Sequence, residues 1–324
     1  MGSMNWCSQK WMGVKFFLLF FVLLFSGCSD SDVGLLVEEG IIEDFPEGLF
    51  GDVAFWQSED MKTSELVFLN MESGEYSAFI LPFPVTNASL GGADKKIYSA
   101  RIVPDGEGVA AKIFGLSLVD GEVDELAAKY PSEGLPRLSP DGEWLVFHAR
   151  HKVERARLFV GVVNVETGER TSFECGYDRC FDAKWVDDGR VIYIADNDKA
   201  VLLDVKSRDE VVVYRGAGKD WRITGLAPRG NGETFYVSRV RGGFRHPQGS
   251  VISEISFDDS AEVVVLETKD EILEVEDTDI ENTVLLTRSV DGASQFSAFY
   301  NLDSGSQFVI SGEGKFSGGA SWVE

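Results

Sequence analysis

Apolar and polar residues alternate along most of this chain in short runs, and turn-forming residues separate the runs. The clearest stretch spans residues 135–173, where the alternation predicts strands at 136–139, 144–149, 158–165 and 170–173. No amphipathic segment of about ten residues lies between the strands, which excludes a parallel α/β fold. The pattern therefore predicts an all-β protein built from four-stranded units.

A turn phrase recurs at the start of these units. Its best copy is Ser139-Pro140-Asp141-Gly142, and related phrases lie at 101–106 and 184–189. Proline ends the incoming strand, and Asp-Gly forms a tight turn because glycine adopts positive φ at no steric cost. We therefore interpret each phrase as the turn between the first and second strands of a unit.

Six units follow this order along the chain. Weaker turns at 228–232 and 277–282 mark two of them, and the unit at 51–81 has a second, third and fourth strand but no first. The last residues, 320–324, read as a lone first strand. The pattern predicts a six-bladed β-propeller with four strands per blade and a ring closed by the C-terminal strand. The 280 residues from 45 to 324 give about 47 per blade, a length that suits six blades better than seven.

The Ser-Pro-Asp-Gly repeat resembles that of the TolB-like propellers. The resemblance covers nearly all of 45–324 and is strongest in blades two to four. It implies a propeller of the bacterial cell envelope that binds or assembles other proteins, although a fold alone does not define a function.

The N-terminal residues predict where in the cell the protein is located. Residues 1–27 are interpreted as a lipoprotein signal peptide, 28–44 as an acidic tether and 45–324 as the propeller. The stretch Leu24-Phe25-Ser26-Gly27-Cys28 resembles a lipobox, which implies lipidation at Cys28, and Ser29 implies the outer membrane, facing the periplasm. The alternative is an ordinary secretory signal with an incidental cysteine.

Two further cysteines, Cys175 and Cys180, lie five positions apart. Outside the cytosol this spacing predicts a local disulfide, and metal ligation is the alternative.

The formal charge of −24 argues against nucleic acid as a partner, because such a surface repels phosphate. Two segments oppose this charge: residues 148–157 hold four cations and one acid, and 239–246 hold three cations and no acid. We expect them on one face of the ring, with three cations at equivalent first-strand positions and blade six carrying Glu274 there. The candidate ligand-binding residues are Arg101, Arg137, Lys184, Arg150, Arg155, Arg241, Arg245 and His246. One hypothesis is a cationic funnel for an acidic ligand; the alternative is ion pairing with acids of neighbouring blades.

Catalytic signals are weak. The chain has no Gly-x-Ser-x-Gly elbow, and its three histidines do not form a metal-binding pattern. We therefore name no catalytic and no metal residue. We expect no cofactor, although the acid clusters at 196–198 and 274–279 have oxygen ligands suited to a structural calcium ion.

The favoured function is a lipid-anchored binding or assembly module of the cell envelope. Its partner would be an envelope protein or an acidic peptide, and the lipid anchor would hold it to the membrane. One alternative is a lyase or hydrolase that acts on an anionic glycan or peptide in the central funnel. Another is a purely structural subunit of an envelope complex.

Overall fold

Six antiparallel sheets, one for each predicted unit, make up the fold. The computed structural model describes residues 36–42, 45, 49–91, 95–105, 108–126, 128–150, 158–216, 218, 220–243, 246–278, 280–290, 294–311 and 315–323. Every regular element in these residues is a strand.

The strands are numbered in chain order. Blade one contains β1 (Leu36–Ile41), β2 (Asp52–Ser58), β3 (Ser64–Asn70) and β4 (Glu75–Leu81). Blade two contains β5 (Ser89–Leu90), β6 (Lys96–Asp105), β7 (Gly108–Ser117) and β8 (Val123–Glu125). Blade three contains β9 (Glu133–Leu138), β10 (Trp144–Arg150), β11 (Leu158–Asn164) and β12 (Arg170–Phe173). Blade four contains β13 (Cys180–Trp185), β14 (Arg190–Ala195), β15 (Lys199–Asp204) and β16 (Glu210–Arg215). Blade five contains β17 (Trp221–Pro228), β18 (Thr234–Gly243), β19 (His246–Ser256) and β20 (Glu262–Thr268). Blade six contains β21 (Glu271–Asp277), β22 (Thr283–Val290), β23 (Ser294–Asn301) and β24 (Gln307–Val309), and β25 (Phe316–Val323) returns to blade one.

The C-terminal strand closes the ring, as predicted. The strand order in blade one is β1-β4-β3-β2-β25, so the last strand of the chain takes the innermost position. Trp322 pairs with Val53 there, and the Trp322 Nε1 donates to the Phe50 carbonyl at 3.2 Å. The first and last blades are therefore held together by the sheet itself.

The turn phrase of blade three behaves as its chemistry predicts. Gly142 adopts a φ of 78°, and its N–H donates to the Ser139 carbonyl at 2.9 Å. The Asp141 carboxylate accepts the Glu143 N–H at 2.9 Å. These contacts turn the chain from β9 into β10, which confirms the predicted strands of this blade.

The phrase in blade two lies at a different turn from the one that the sequence predicts. Asp105 ends β6 and pairs with Gly108 of β7, so this turn joins the second and third strands. The first strand is the short β5, which lies before β6. Asp-Gly chemistry suits any tight hairpin and does not identify which pair of strands it connects.

The core consists of six apolar clusters, one between each pair of adjacent blades. Ile113 of blade two packs with Phe147 of blade three, and Phe55 of blade one packs with Leu285 of blade six. The other four clusters repeat this arrangement around the ring. Each blade buries apolar side chains on both faces, and this burial holds the blades together.

Part of the expected tether belongs to the propeller. The six residues of β1 pair with β4 and add a fifth strand to the outer edge of blade one. No helix in the described ranges is long and apolar enough to span a bilayer.

Candidate functional site

The inner strands line a central channel, and strand pairing sets the register of the side chains around it. In each blade, one residue of the inner strand pairs with the third residue of the second strand. We call these six inner-strand residues the channel ring. Its members, from blade one to blade six, are Ser321, Ser89, Arg137, Lys184, Ala227 and Glu276.

Two members of the predicted cationic column belong to this ring, and the third does not. Arg101 lies on β6, opposite Lys112 of β7, because the turn at Asp105 joins later strands than expected. Its guanidinium pairs with Glu125 at 2.5 Å and lies 5.8 Å from the centre of the Phe83 ring. The blade-six member of the channel ring is Glu276. The prediction of Glu274 at this position was therefore wrong by two residues.

Glu276 joins the two remaining cations across the channel. Its Oε1 lies 3.1 Å from Arg137 Nη2 and 2.7 Å from Lys184 Nζ. Each cation also donates to a backbone carbonyl: Arg137 to Ala88 at 2.9 Å and Lys184 to Val275 at 2.8 Å. These contacts tie blades two, three, four and six together, so this part of the predicted funnel is an ion-pair cluster.

Two more acids lie on inner strands close to this cluster, each two residues before a member of the channel ring. The Glu274 Oε2 accepts the Gly319 N–H at 2.6 Å, and the Asp182 Oδ2 accepts the Leu226 N–H at 3.1 Å. Burial raises the pKa of Glu274, and the nearby Arg137 opposes this shift without cancelling it. Asp182 has a φ of 49° at an irregularity in β13, which turns its carboxylate toward the next blade.

His148 lies near this cluster on β10. Burial lowers its pKa to about 4, and Asp182 only partly offsets the effect. Its Nδ1 is buried and makes no hydrogen bond to the described part of the chain. The imidazole is therefore neutral at physiological pH.

A second group of cations lies on one face of the ring. On this face, which we call the upper face, each inner strand begins and each second and fourth strand ends. Arg150 ends β10, Arg215 ends β16 and Arg241 lies near the end of β18. Arg179 directly precedes β13. We call these four residues the arginine face, and all belong to blades three to five or to the connection between blades three and four.

None of the four side chains forms an ion pair with the residues that the structure describes. Arg150 donates to the Val109 carbonyl of blade two at 3.1 Å. Arg179, Arg215 and Arg241 are exposed. Arg150 and Arg241 were predicted from sequence, whereas Arg215 was missed because it stands alone at the end of an apolar strand.

The predicted disulfide between Cys175 and Cys180 is present, and both cysteines are buried. It closes the segment that connects blade three to blade four and carries Arg179. The Asp178 and Arg179 N–H groups donate to Asp196 Oδ1 at 3.2 and 3.4 Å. This segment is thus fixed on the upper face by the disulfide and by hydrogen bonds with Asp196.

The other predicted positions add less. His246 begins β19; Cys28, Arg155 and Arg245 lie outside the described residues. Lys199 occupies the acid pair considered for calcium, with its Nζ 3.3 Å from Asp196 and 2.7 Å from Asp198. Within the described ranges no group of three or more metal-ligating side chains is arranged to hold an ion.

Comparison with known proteins agrees on the fold. The chain is similar to the structure of TolB from Acinetobacter baumannii, with a TM-score of 0.66 and 13% identity over 87% of this chain and 68% of that one. It is also similar to a puromycin-hydrolysing peptidase of Mycobacterium tuberculosis, with a TM-score of 0.54 and 13% identity over 80% of this chain and 44% of the peptidase. A prolyl endopeptidase structure gives a TM-score of 0.53 at 10% identity, over 87% of this chain and 42% of that one.

The chain thus spans less than half of each of these peptidases. No protein-family model matches the sequence, and no curated protein matches it. At these identities the likeness defines the architecture alone, which is a TolB-like six-bladed β-propeller.

Proposed function

We propose that this protein is a lipid-anchored binding module of the bacterial cell envelope, which binds an acidic segment of a partner protein at its arginine face. The observation that carries the proposal is four arginines on one face that form no ion pair with any residue in the described ranges, in a chain whose formal charge is −24. The lipobox-like sequence that ends at Cys28 supports the anchor, and the TolB-like architecture supports the compartment.

The contrast between the two cation groups supports this choice of face. Arg137 and Lys184 are 8% and 4% exposed and already share Glu276, so burial and an existing carboxylate partner leave them poorly placed to bind a new anion. The arginines of the upper face are exposed or half-buried and have donors available. Arginine suits a carboxylate partner because its planar fork can donate two parallel hydrogen bonds.

Fluorescence anisotropy with a labelled peptide of alternating Glu and Gly tests this proposal. The variant Arg150→Glu/Arg241→Glu should bind the peptide about ten-fold more weakly, since each exposed pair is worth up to ~1 kcal/mol. Binding to the unaltered protein should weaken as salt is added.

The matched control is Lys95→Glu/Lys206→Glu, which makes the same change in net charge. Both lysines are exposed, and they lie at the opposite ends of the strands from the arginine face. This control should retain affinity for the peptide. Equal losses in the two double variants would show that only net charge matters and would overturn the proposed face.

A further inference from the structure

The chain enters the propeller at the outer edge of blade one. All six residues of β1 pair with β4. The Tyr76 ring covers Gly40 so closely that a Cβ there would lie 2.6 Å from the tyrosine Oη. Beyond the strand, the Ile42 N–H donates to the Gly74 carbonyl at 2.9 Å, and the Ile42 side chain is 6% exposed.

This attachment continues onto the neighbouring blade. Phe45 packs edge-to-face on Phe308 of blade six, with 5.1 Å between the ring centres, and Phe308 lies in the core cluster between blades one and six. Residues 36–42 and Phe45 are therefore packed against the ring, and any anchor further toward the N-terminus pulls on blade one.

The length of chain between the lipidation position and β1 sets how far the ring can move from a bilayer. Leu36 lies eight positions after Cys28, and a fully extended chain over eight positions spans at most ~28 Å. A propeller domain of this size is roughly 50 Å across. Because the tether is shorter than the width of the ring, blade four cannot contact the membrane while blade one lies on the far side of the ring.

We infer that in the anchored protein the rim of blade one is held nearest the lipid and blade four lies farthest from it. In a six-bladed ring these two blades are opposite, and the arginine face is centred on blade four. The inference rests on the lipid anchor in the proposed function.

Charge opposes contact between an anionic bilayer and the upper loop of blade one, which leaves the outer rim of that blade as its part nearest the lipid. The loop at the upper end of blade one carries Glu59 and Asp60, both exposed. Hydrogen bonds from the Lys62 and Thr63 backbone N–H groups lower the pKa of Asp60, so it remains ionised. An anionic bilayer repels these two charges.

Energy transfer from the protein to labelled lipid measures this orientation. The lipidated full chain would be placed in phosphatidylethanolamine–phosphatidylglycerol vesicles that contain a rhodamine lipid. A donor dye would be attached at Glu39→Cys on β1 or at Val211→Cys on β16, where Val211 is 59% exposed. Labelling without reductant preserves the native disulfide. Transfer should be at least about two-fold stronger from position 39 than from position 211.

A Gly-Ser insertion of about twenty residues between positions 35 and 36 provides the control. It adds ~25 Å of average reach, so the difference between the two positions should shrink. Equal transfer in the original chain, or stronger transfer from position 211, would overturn the orientation. Failure of the lipidated chain to float with vesicles would instead show that the proposed anchor is wrong, and the orientation would fall with it.

Discussion

Replacing Glu276 by glutamine should destabilise the ring strongly. The side chain keeps its size but loses the charge that Arg137 and Lys184 share at 3.1 and 2.7 Å. Both cations are more than nine-tenths buried, so water cannot replace the lost carboxylate. Removing one partner of a buried ion pair commonly costs about 3–5 kcal/mol.

The carbonyls that remain bonded to the two cations place the expected cost at the lower end of that range. Arg137 keeps the Ala88 carbonyl, and Lys184 keeps that of Val275. A loss of ~3 kcal/mol is therefore expected, which lowers the melting temperature by roughly 6–12 °C in a domain of this size.

Chemical denaturation of Glu276→Gln, Lys184→Met and the double variant forms the assay. The two substitutions should be non-additive by at least ~1 kcal/mol, because the second removes a charge that the first left without a partner. The control is Asp124→Asn, which breaks the exposed pair with Lys96 and should cost at most about 1 kcal/mol. Additive effects, or a Glu276→Gln cost no larger than the control, would refute the role of this cluster.

Three further predictions follow from buried or covalent contacts. Burial lowers the pKa of His148 to about 4, against ~6.5 in an unfolded chain. The neutral ring contributes stability above pH ~6.5 that is lost as the pH falls toward 4, by roughly 3 kcal/mol. His148→Gln should therefore flatten the decline in unfolding free energy between pH 7 and 4.5; an unchanged slope would contradict it. Cys175→Ser/Cys180→Ser should cost ~2 kcal/mol because the closed loop is small; a neutral result in thermal unfolding would contradict this. Gly40→Val should release β1, because its side chain clashes with Tyr76, and so speed hydrogen exchange of the β1 amides. The exposed neighbour change Glu39→Val should not, and equal protection in both variants would contradict the packing argument.

Local turn chemistry made much of this fold predictable. The strands of blade three match the alternation in residues 135–173, and the orphan strand at the C-terminus closes the ring as expected. The same chemistry gave a wrong prediction at Asp105, because the turn there joins the second and third strands of blade two, not the first and second. One turn signal defines a hairpin, whereas the position of that hairpin within a blade depends on long-range pairing.

The channel was less predictable because its contacts join distant parts of the chain. Glu276 binds cations that lie 139 and 92 positions earlier, and no local pattern indicates that pairing. The two-residue error between Glu274 and Glu276 arose because the first turn of blade six lacks the Asp-Gly phrase that sets the register, and Asn282 adopts the positive φ of that turn instead. Arg150 and Arg241 were found because they lie in cation-rich segments, whereas Arg215 required the fold to place it.

Site-specific photo-crosslinking of the intact lipidated protein tests the central claim most directly. A photoreactive residue would replace Asp178, which is exposed beside Arg179, or Ser207, which is exposed in the turn between β15 and β16 at the opposite face. The proposed function predicts a discrete crosslinked partner from position 178 that disappears with Arg150→Glu/Arg241→Glu, and none from position 207. Crosslinking from position 207 alone, or from position 178 without dependence on the arginines, would contradict it.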